Sequence, residues 1–287
     1  MKINFSNFRT DNINSRIFIV GCSRSGTTLL QSILATHPSI KTFPETGFFL
    51  KSIGNLRTNK ILANIGITTG KELKSLNDDI LYRLNAREKF HVNKKPSFKY
   101  KENVKIFLSI LDYLTLQSNK KIWIEKTPLH ILNLEIIEKY VPKVKIIHIV
   151  RDGKEVVASI YKRHINYPNK FVNQDINYGI KLWNKCMHKT LKQMNESNNF
   201  IVKYEDLVGD TNKELNKISA FLNLNEKDFD INKRKDIPDL KFKNEEWKNN
   251  SIKKIENKNT KFTQIFTKEE QNYIKKKLKN NIIYKFN

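Results

Sequence analysis

The chain has 287 residues, 39% hydrophobic and 10% aromatic, which suits one globular domain and excludes a disordered chain. No run approaches the roughly 20 apolar residues of a membrane helix, and Met1 to Asn7 lack the apolar core of a signal peptide. The net charge of +24 points toward nucleic acid, but only 9 of the 53 basic residues are Arg, 35 residues are Asn, and the lysines scatter. Joint Lys and Asn enrichment looks like coding bias. Two readings of the charge stand: a solvated surface, or one that also attracts an anionic acceptor or membrane surface. Cys22 and Cys186 make no disulfide framework, so a reducing, cytoplasmic setting is expected.

In chain order, Ile17 to Val20 reads as a buried strand and Thr27 to Thr36 as a helix. Between them runs Gly21-Cys22-Ser23-Arg24-Ser25-Gly26-Thr27-Thr28. A glycine-flanked turn opening a helix aims backbone N–H groups at one point, backed by the helix dipole, and that geometry binds phosphate or sulfate. The spacing G-x-x-x-x-G is that of a P-loop, but Thr27 stands where nucleotidases place Lys. A short strand, Ile40 to Phe43, is expected beside the first, with Glu45 just beyond it. Residues 48–120 look mostly helical and polar, with a possible cap at Asn77-Asp78-Asp79, and are expected to be an insertion covering the site.

Ile122 to Ile124, Val144 to Val150 and Phe200 to Lys203 read as further buried strands. Helices are expected at Pro128 to Lys139, Lys154 to Arg163 and Thr211 to Leu222. The alternation predicts an α/β fold, a three-layer sandwich around a central parallel sheet with a helical insertion. Residues 225–265 lack periodicity and are expected to be a long loop near the ligand. After Val150 come Arg151 and Asp152, and Ser159 and Arg163 lie four apart on one face of the next helix. Two guanidiniums and a hydroxyl converging there suit a phosphate. The competing reading has Arg163 at a helix C-terminus and Arg151 paired with Asp152.

Together these two segments resemble the sulfotransferases that use 3′-phosphoadenylyl sulfate (PAPS). The first is similar to their 5′-phosphosulfate loop, and the second, Val150-Arg151-Asp152 with Ser159 and Arg163, to their 3′-phosphate motif. Thr36-His37-Pro38, Phe43-Pro44-Glu45-Thr46, Glu125-Lys126-Thr127-Pro128 and Lys203-Tyr204-Glu205-Asp206-Leu207-Val208 resemble the same family in order. The resemblance covers about 16–50 and 122–222. It implies a P-loop NTPase-like fold in a single domain, with its core at about 16–47 and 122–222, the insertion at 48–120 and a C-terminal loop and helix at 223–287.

The resemblance also implies roles. Arg24, Ser25, Gly26, Thr27 and Thr28 would hold the 5′-phosphosulfate; Arg151, Ser159 and Arg163 the 3′-phosphate; Tyr204 the same nucleotide. Arg24 and Lys126 would stabilise the leaving phosphate without a metal ion, and Glu45 would take the acceptor's proton. His130 is the alternative base, while His148 and His37 read as structural. PAPS would be the donor and 3′-phosphoadenosine 5′-phosphate (PAP) the product. The acceptor class stays open among glycan, lipid, peptide and small metabolite, and no oligomeric state is assigned. Ser251, Lys253 and Lys254 are candidates for closing over the nucleotide, and Trp247 for lining the acceptor cleft. Trp123 and Trp183 read as core. A P-loop kinase or NTPase and a nucleic-acid-binding module are the competing classes. The first is disfavoured by Thr27 in place of Lys, and the second rests on charge alone.

Overall fold

Alternation within the strands sorts side chains into two cores. Along Ser15–Gly21 (β2), Ile17 and Ile19 face one side and Phe18 and Val20 the other. A computed structural model describes residues 3–4, 11–54, 57–68, 71–91, 97–237 and 261–286. Its main sheet has five strands, all parallel, in the order β3-β5-β2-β6-β7. The others are Ile40–Phe43 (β3), Ile122–Lys126 (β5), Val144–Val150 (β6) and Asn199–Lys203 (β7). A separate two-residue pair joins Ile3–Asn4 (β1) to Phe90–His91 (β4).

On one face, Ile17, Ile19, Ile147 and Ile149 pack with Leu29, Leu30 and Ile33 of Thr27–Leu34 (α1) and with Leu215 and Ile218 of Thr211–Leu222 (α10). On the other, Phe18, Val20, Trp123 and Val150 meet Phe107 and Leu111 of Tyr100–Leu116 (α5), Val156 and Ile160 of Gly153–Asn166 (α7), and Trp183 of Ile176–Gln193 (α8). This is the expected three-layer α/β sandwich. The chain between β3 and β5 is mostly helical: Phe48–Ile53 (α2), Arg57–Asn64 (α3), Lys71–Arg83 (α4) and α5. One buried ion pair ties α5 to the sheet. Arg16 of β2 donates from Nε and Nη2 to Asp112 at 3.2 and 2.6 Å, and the Trp123 indole donates to the same carboxylate.

Four expectations need correcting. β3 does not lie beside β2: β5 stands between them, since the short strand pairs Ile40 with Ile122 through Phe43 with Glu125. Asn77-Asp78-Asp79 caps nothing. It lies inside α4, where Asn77 is buried against the Asn103 carbonyl and Asp79 pairs with Arg83 one turn on. The helix expected from Pro128 to Lys139 begins as a 3-10 segment, Pro128–Asn133, and becomes α-helical only at Leu134–Tyr140 (α6). The helix expected from Thr27 to Thr36 stops at Leu34. Further on come Tyr204–Gly209 (α9), Lys261–Ile265 (α11) and Lys268–Lys277 (α12).

His148 in β6 shows how the core constrains a polar group. Its Nε2 lies 2.7 Å from Asn199 Oδ1 and its Nδ1 lies 3.3 Å from Thr190 Oγ1. Burial pulls the ring down to about 4, partly opposed by Asn199. A ring that stays neutral in the native state but protonates near 6.5 when unfolded leaves its stabilisation complete above pH 6.5. As pH falls from there toward 4, about 3 kcal/mol is lost. NMR titration of the His148 ring is therefore expected to give a midpoint below pH 5; a midpoint near 6.5 would contradict this account.

Candidate functional site

In an open parallel sheet, ligands bind at the carboxyl ends of the strands. Here each main strand delivers a predicted residue to that edge. β2 runs into the loop from Gly21 to Gly26, β5 ends on Lys126, and β6 is followed by Arg151. Tyr204 comes directly after β7, and Glu45 two residues after β3.

The loop turns through three residues with unusual backbone angles. Arg24 and Gly26 have φ of 74° and 100°, and Gly21 has φ of 156°. Gly26 is also the N-cap of α1, with no side-chain cap, so the first helical N–H groups point into the loop without an intrahelical partner. Ser25 Oγ is buried and has no hydrogen-bond partner among the described residues. A Cβ on Gly26 would lie 2.4 Å from Cδ2 of Tyr204, so the loop closes against that ring. Cys22, within the loop, is buried and free, and burial followed by the neighbouring Cys186 pushes its thiol well above the ordinary range.

The two anion segments converge. Arg24 donates from Nε to Ser159 Oγ at 3.2 Å, joining the loop to α7. The Arg151 guanidinium lies 4.0 Å over the Tyr204 ring. Arg163 donates to Gln174 at 2.8 Å and stacks 4.1 Å over Phe171. Its Nε is buried without a hydrogen-bond partner among the described residues. Burial, then the guanidiniums of Arg163 and Arg151, pull Arg24 down to about 10, with Glu45 opposing. Burial also lowers Arg163, opposed by Tyr178 and Glu45. Like charge held this closely makes a positive field that attracts anions. Asp152 instead caps α7, accepting from the Lys154 amide at 2.8 Å, and its own N–H donates to Glu205.

Glu45 and Lys126 meet directly, with Nζ 2.5 Å from Oε1. The lysine is fully buried and the glutamate about a quarter exposed. Glu125, the residue before Lys126, holds the turn beyond Glu45. Its Oε1 accepts from the Thr46 amide, the Thr46 hydroxyl and the Thr127 hydroxyl at 2.9, 2.8 and 2.6 Å. Burial alone would raise the Glu125 carboxyl, but His130 and these hydrogen bonds outweigh it and leave it below its usual range. The Gly47 amide donates to Thr127, and the Phe49 amide to His130 Nε2 at 3.2 Å. His130 is thus a buried brace of this turn, packed beside Phe18 and Phe49. His37 is likewise structural, its Nδ1 accepting from the Ser39 amide.

Residues 16–228 match the family model described as "Sulfotransferase family". The chain belongs to the sulfotransferase family. A putative protein-tyrosine sulfotransferase of Caenorhabditis briggsae is 26% identical over 218 residues, covering 74% of this chain and 67% of the relative. Among solved structures, the sulfotransferase domain of the Synechococcus PCC 7002 olefin synthase superposes with a TM-score of 0.59 at 22% identity, covering 92% of this chain and 94% of that one. The mouse sulfotransferase SULT7A1, crystallised with PAP, gives 0.52 at 15% identity, with coverage of 93% and 85%. Both are similar to this sulfotransferase in fold.

Three residues important to the geometry escaped sequence reasoning. Glu125 carried no role beyond its motif, although a buried acid at a strand end beside Thr127 is a visible signal. Arg83, in α4, donates to the carbonyls of Glu45 and Thr46 at 3.4 and 3.1 Å. Gln31, in α1, donates to Thr42 and to the Phe43 carbonyl, fixing the end of β3. No local pattern marks either of these two. Ser251, Lys253, Lys254 and Trp247 lie outside the described residues. Among the described residues, no group of three or more His, Cys, Asp or Glu is placed to hold a metal ion, and no helix is long and apolar enough to cross a membrane.

The closure of the loop on Tyr204 yields a prediction. Gly26→Ala places a Cβ against the ring at a φ that L-residues avoid, and is expected to destabilise the protein by about 1–3 kcal/mol. Urea denaturation of Gly26→Ala, Tyr204→Ala and the double variant checks it. A favourable coupling energy, from relief of the clash, is expected. Strict additivity would show that the ring and the loop are not in contact.

Proposed function

We propose that this sulfotransferase moves a sulfuryl group from PAPS to an acceptor hydroxyl or amine and releases PAP. The observation that carries the reading is the contact of Arg24 with Ser159, with the Arg163 and Arg151 guanidiniums close enough to act on Arg24. The donor carries a 5′-phosphosulfate and a separate 3′-phosphate, so it needs cations at two places. In this reading the Gly21–Gly26 loop, Thr27 and Thr28 take the phosphosulfate. Arg151, Ser159 and Arg163 take the 3′-phosphate, and Tyr204 lies against the nucleotide. PAP in the mouse sulfotransferase structure supports the same donor.

Glu45 is the proposed base. It sits past β3 on the site edge, and its turn is held by Glu125 and Arg83. Lys126 lies 2.5 Å from its carboxylate, which would accept a proton as the acceptor oxygen attacks sulfur in line. Lys126 and Arg24 then stabilise the phosphate that leaves. The acceptor is a glycan, lipid, peptide or small metabolite with a nucleophilic hydroxyl or amine.

Melting temperature with PAP, 5′-AMP and Mg-ATP tests the donor. At 100 times its dissociation constant PAP is expected to add about 2.7 kcal/mol of stability. A larger shift with Mg-ATP would overturn the reading in favour of a nucleotidase.

The base is tested by Glu45→Gln. Once mass spectrometry of sulfated products has identified an acceptor, turnover is expected to fall about 10²- to 10⁴-fold. PAP affinity is expected to hold or rise, because Glu45 offsets the charge on Arg24 and Arg163. Near-normal turnover would remove Glu45 from the mechanism.

A further inference from the structure

An open cavity lies between α2 and α4. Its volume is about 290 Å³, and its walls are Lys51 and Ser52 of α2 with Ser75, Leu76 and Asp79 of α4. Ligand sites begin at about 300 Å³, so this one suits a single small ring and not a long chain. Four of the five wall side chains are polar. On α4, Ser75, Asp79 and Tyr82 stand at i, i+4 and i+7, so they share one helix face. Tyr82 is 65% exposed, and the Arg87 guanidinium stacks 5.0 Å over its ring.

Two contacts join this cavity to the turn that carries the proposed base. Arg83 Nη2 lies 2.9 Å from the Asp79 carboxylate and 3.1 Å from the Thr46 carbonyl, and Nη1 donates to the Glu45 carbonyl. On the other wall, the Lys51 stem runs beside Gly47, where a Cβ would lie 3.4 Å from Lys51 Cε. The Lys51 ammonium ends 3.8 Å from Asp79. The walls thus offer a carboxylate that accepts, an ammonium that donates, and hydroxyls that do both. A sugar presents hydroxyls that match all three, and a C–H face that packs on an aromatic ring. The Asp79 carboxylate disfavours an anionic group here, and the polar walls disfavour an alkyl chain. We propose that this cavity is the acceptor site and takes a neutral sugar or cyclic polyol unit. Asp79, Lys51 and Ser75 bind its hydroxyls, and Tyr82 lies beside its C–H face. The inference rests on the sulfuryl-transfer reading and deepens it by naming the acceptor class.

In the transfer, a sugar hydroxyl oxygen forms the bond to sulfur. The bond from sulfur to the donor's phosphate oxygen breaks with its electron pair on PAP, and the hydroxyl proton passes to Glu45. Lys51, Ser75 and Tyr82 make none of these bonds; they hold the sugar in place. Losing them therefore raises the acceptor KM and leaves kcat at saturation unchanged. A merely structural role would instead lower turnover and PAP affinity together.

Incubation with isotopically labelled PAPS and three kinds of probe tests the inference, with products read by mass spectrometry. The probes are a panel of methyl glycosides with inositol, a tyrosine-containing peptide, and a long-chain alcohol. Sulfation of a methyl glycoside or inositol is expected. On the best such probe, Lys51→Met is expected to raise KM about ten- to hundredfold, the effect of one charge-assisted contact. Tyr82→Leu is expected to raise KM as well. Ser75→Trp, which fills the cavity from an exposed helix position, is expected to abolish sulfation of that probe. All three variants are expected to bind PAP as the wild type does in calorimetric titration. Sulfation of the peptide or the alcohol alone, or of no probe, overturns the sugar assignment. A normal sugar KM in Ser75→Trp, or a loss of PAP affinity in all three variants, overturns the cavity as the acceptor site. These results leave the donor reading standing while the wild type binds PAP. Failure of the wild type to bind PAP overturns the donor reading and the inference together.

Discussion

Mutual repulsion among crowded, half-buried and buried cations is the constraint around which the site edge of this molecule is organised. Arg24, Arg151 and Arg163 are drawn together at the edge of the sheet, and Lys261 and the fully buried Lys126 add to them. Left alone, such groups would separate into water. They stay because each is fixed by something apolar or covalent to the fold: Arg151 over Tyr204, Arg163 over Phe171, Arg24 in a left-handed turn. The two apolar layers on either side of the sheet supply the stability against which this repulsion is held. The strain is local, and a bound anion would relieve it.

Parallel strands explain why the cluster forms where it does. All five main strands run the same way, so five connections leave from one edge. Several of these connections contribute groups, and no single segment carries the site. The helices after β2 and β6 begin at this edge too, and the positive ends of their dipoles add to the field. The turn after β3 carries the main counter-charge, Glu45. Glu125 grips that turn from the neighbouring β5, which is why the order β3-β5-β2 matters chemically. A short strand beside β2, as the sequence led us to expect, would have left β5 outside this arrangement and separated Lys126 from Glu45.

Much of this was legible in the chain because the signals are local. Apolar β-branched runs such as Val144 to Val150 mark buried parallel strands, and Gly21 and Gly26 mark backbone that few other residues adopt. Ser159 and Arg163 share a helix face by spacing alone. What was not legible is relational. The neighbour of Ile40 to Phe43 depends on which strand end offers partners, and four residues carry no register. The long helix α8 went unassigned, because its buried residues Ile180, Trp183 and Met187 are diluted by lysines and asparagines on the other faces. Arg83 lies 38 residues from Glu45 in sequence, so its grip on that carbonyl has no trace in any motif.

The same constraint shapes how the helices between β3 and β5 are joined to the cation cluster. Arg83 binds Asp79 within α4 at 2.9 Å and also reaches the carbonyls of Glu45 and Thr46. The helices between β3 and β5 are thereby fastened to the peptide that carries the proposed base. Glu45 in turn answers to Lys126 at 2.5 Å and to the fields of Arg24 and Arg163. Its carboxylate is thus the meeting point of two demands. As a counter-ion it offsets the repulsion among the clustered cations; as the proposed base it would give up part of that negative charge to a proton. The two demands are compatible only if the phosphate that leaves carries replacement negative charge into the cluster as the proton arrives. Sulfuryl transfer does this, because the bond to sulfur breaks with its electrons on the phosphate oxygen. The base is neutralised as the leaving group becomes fully ionic, and the charge balance of the cluster is conserved through the reaction.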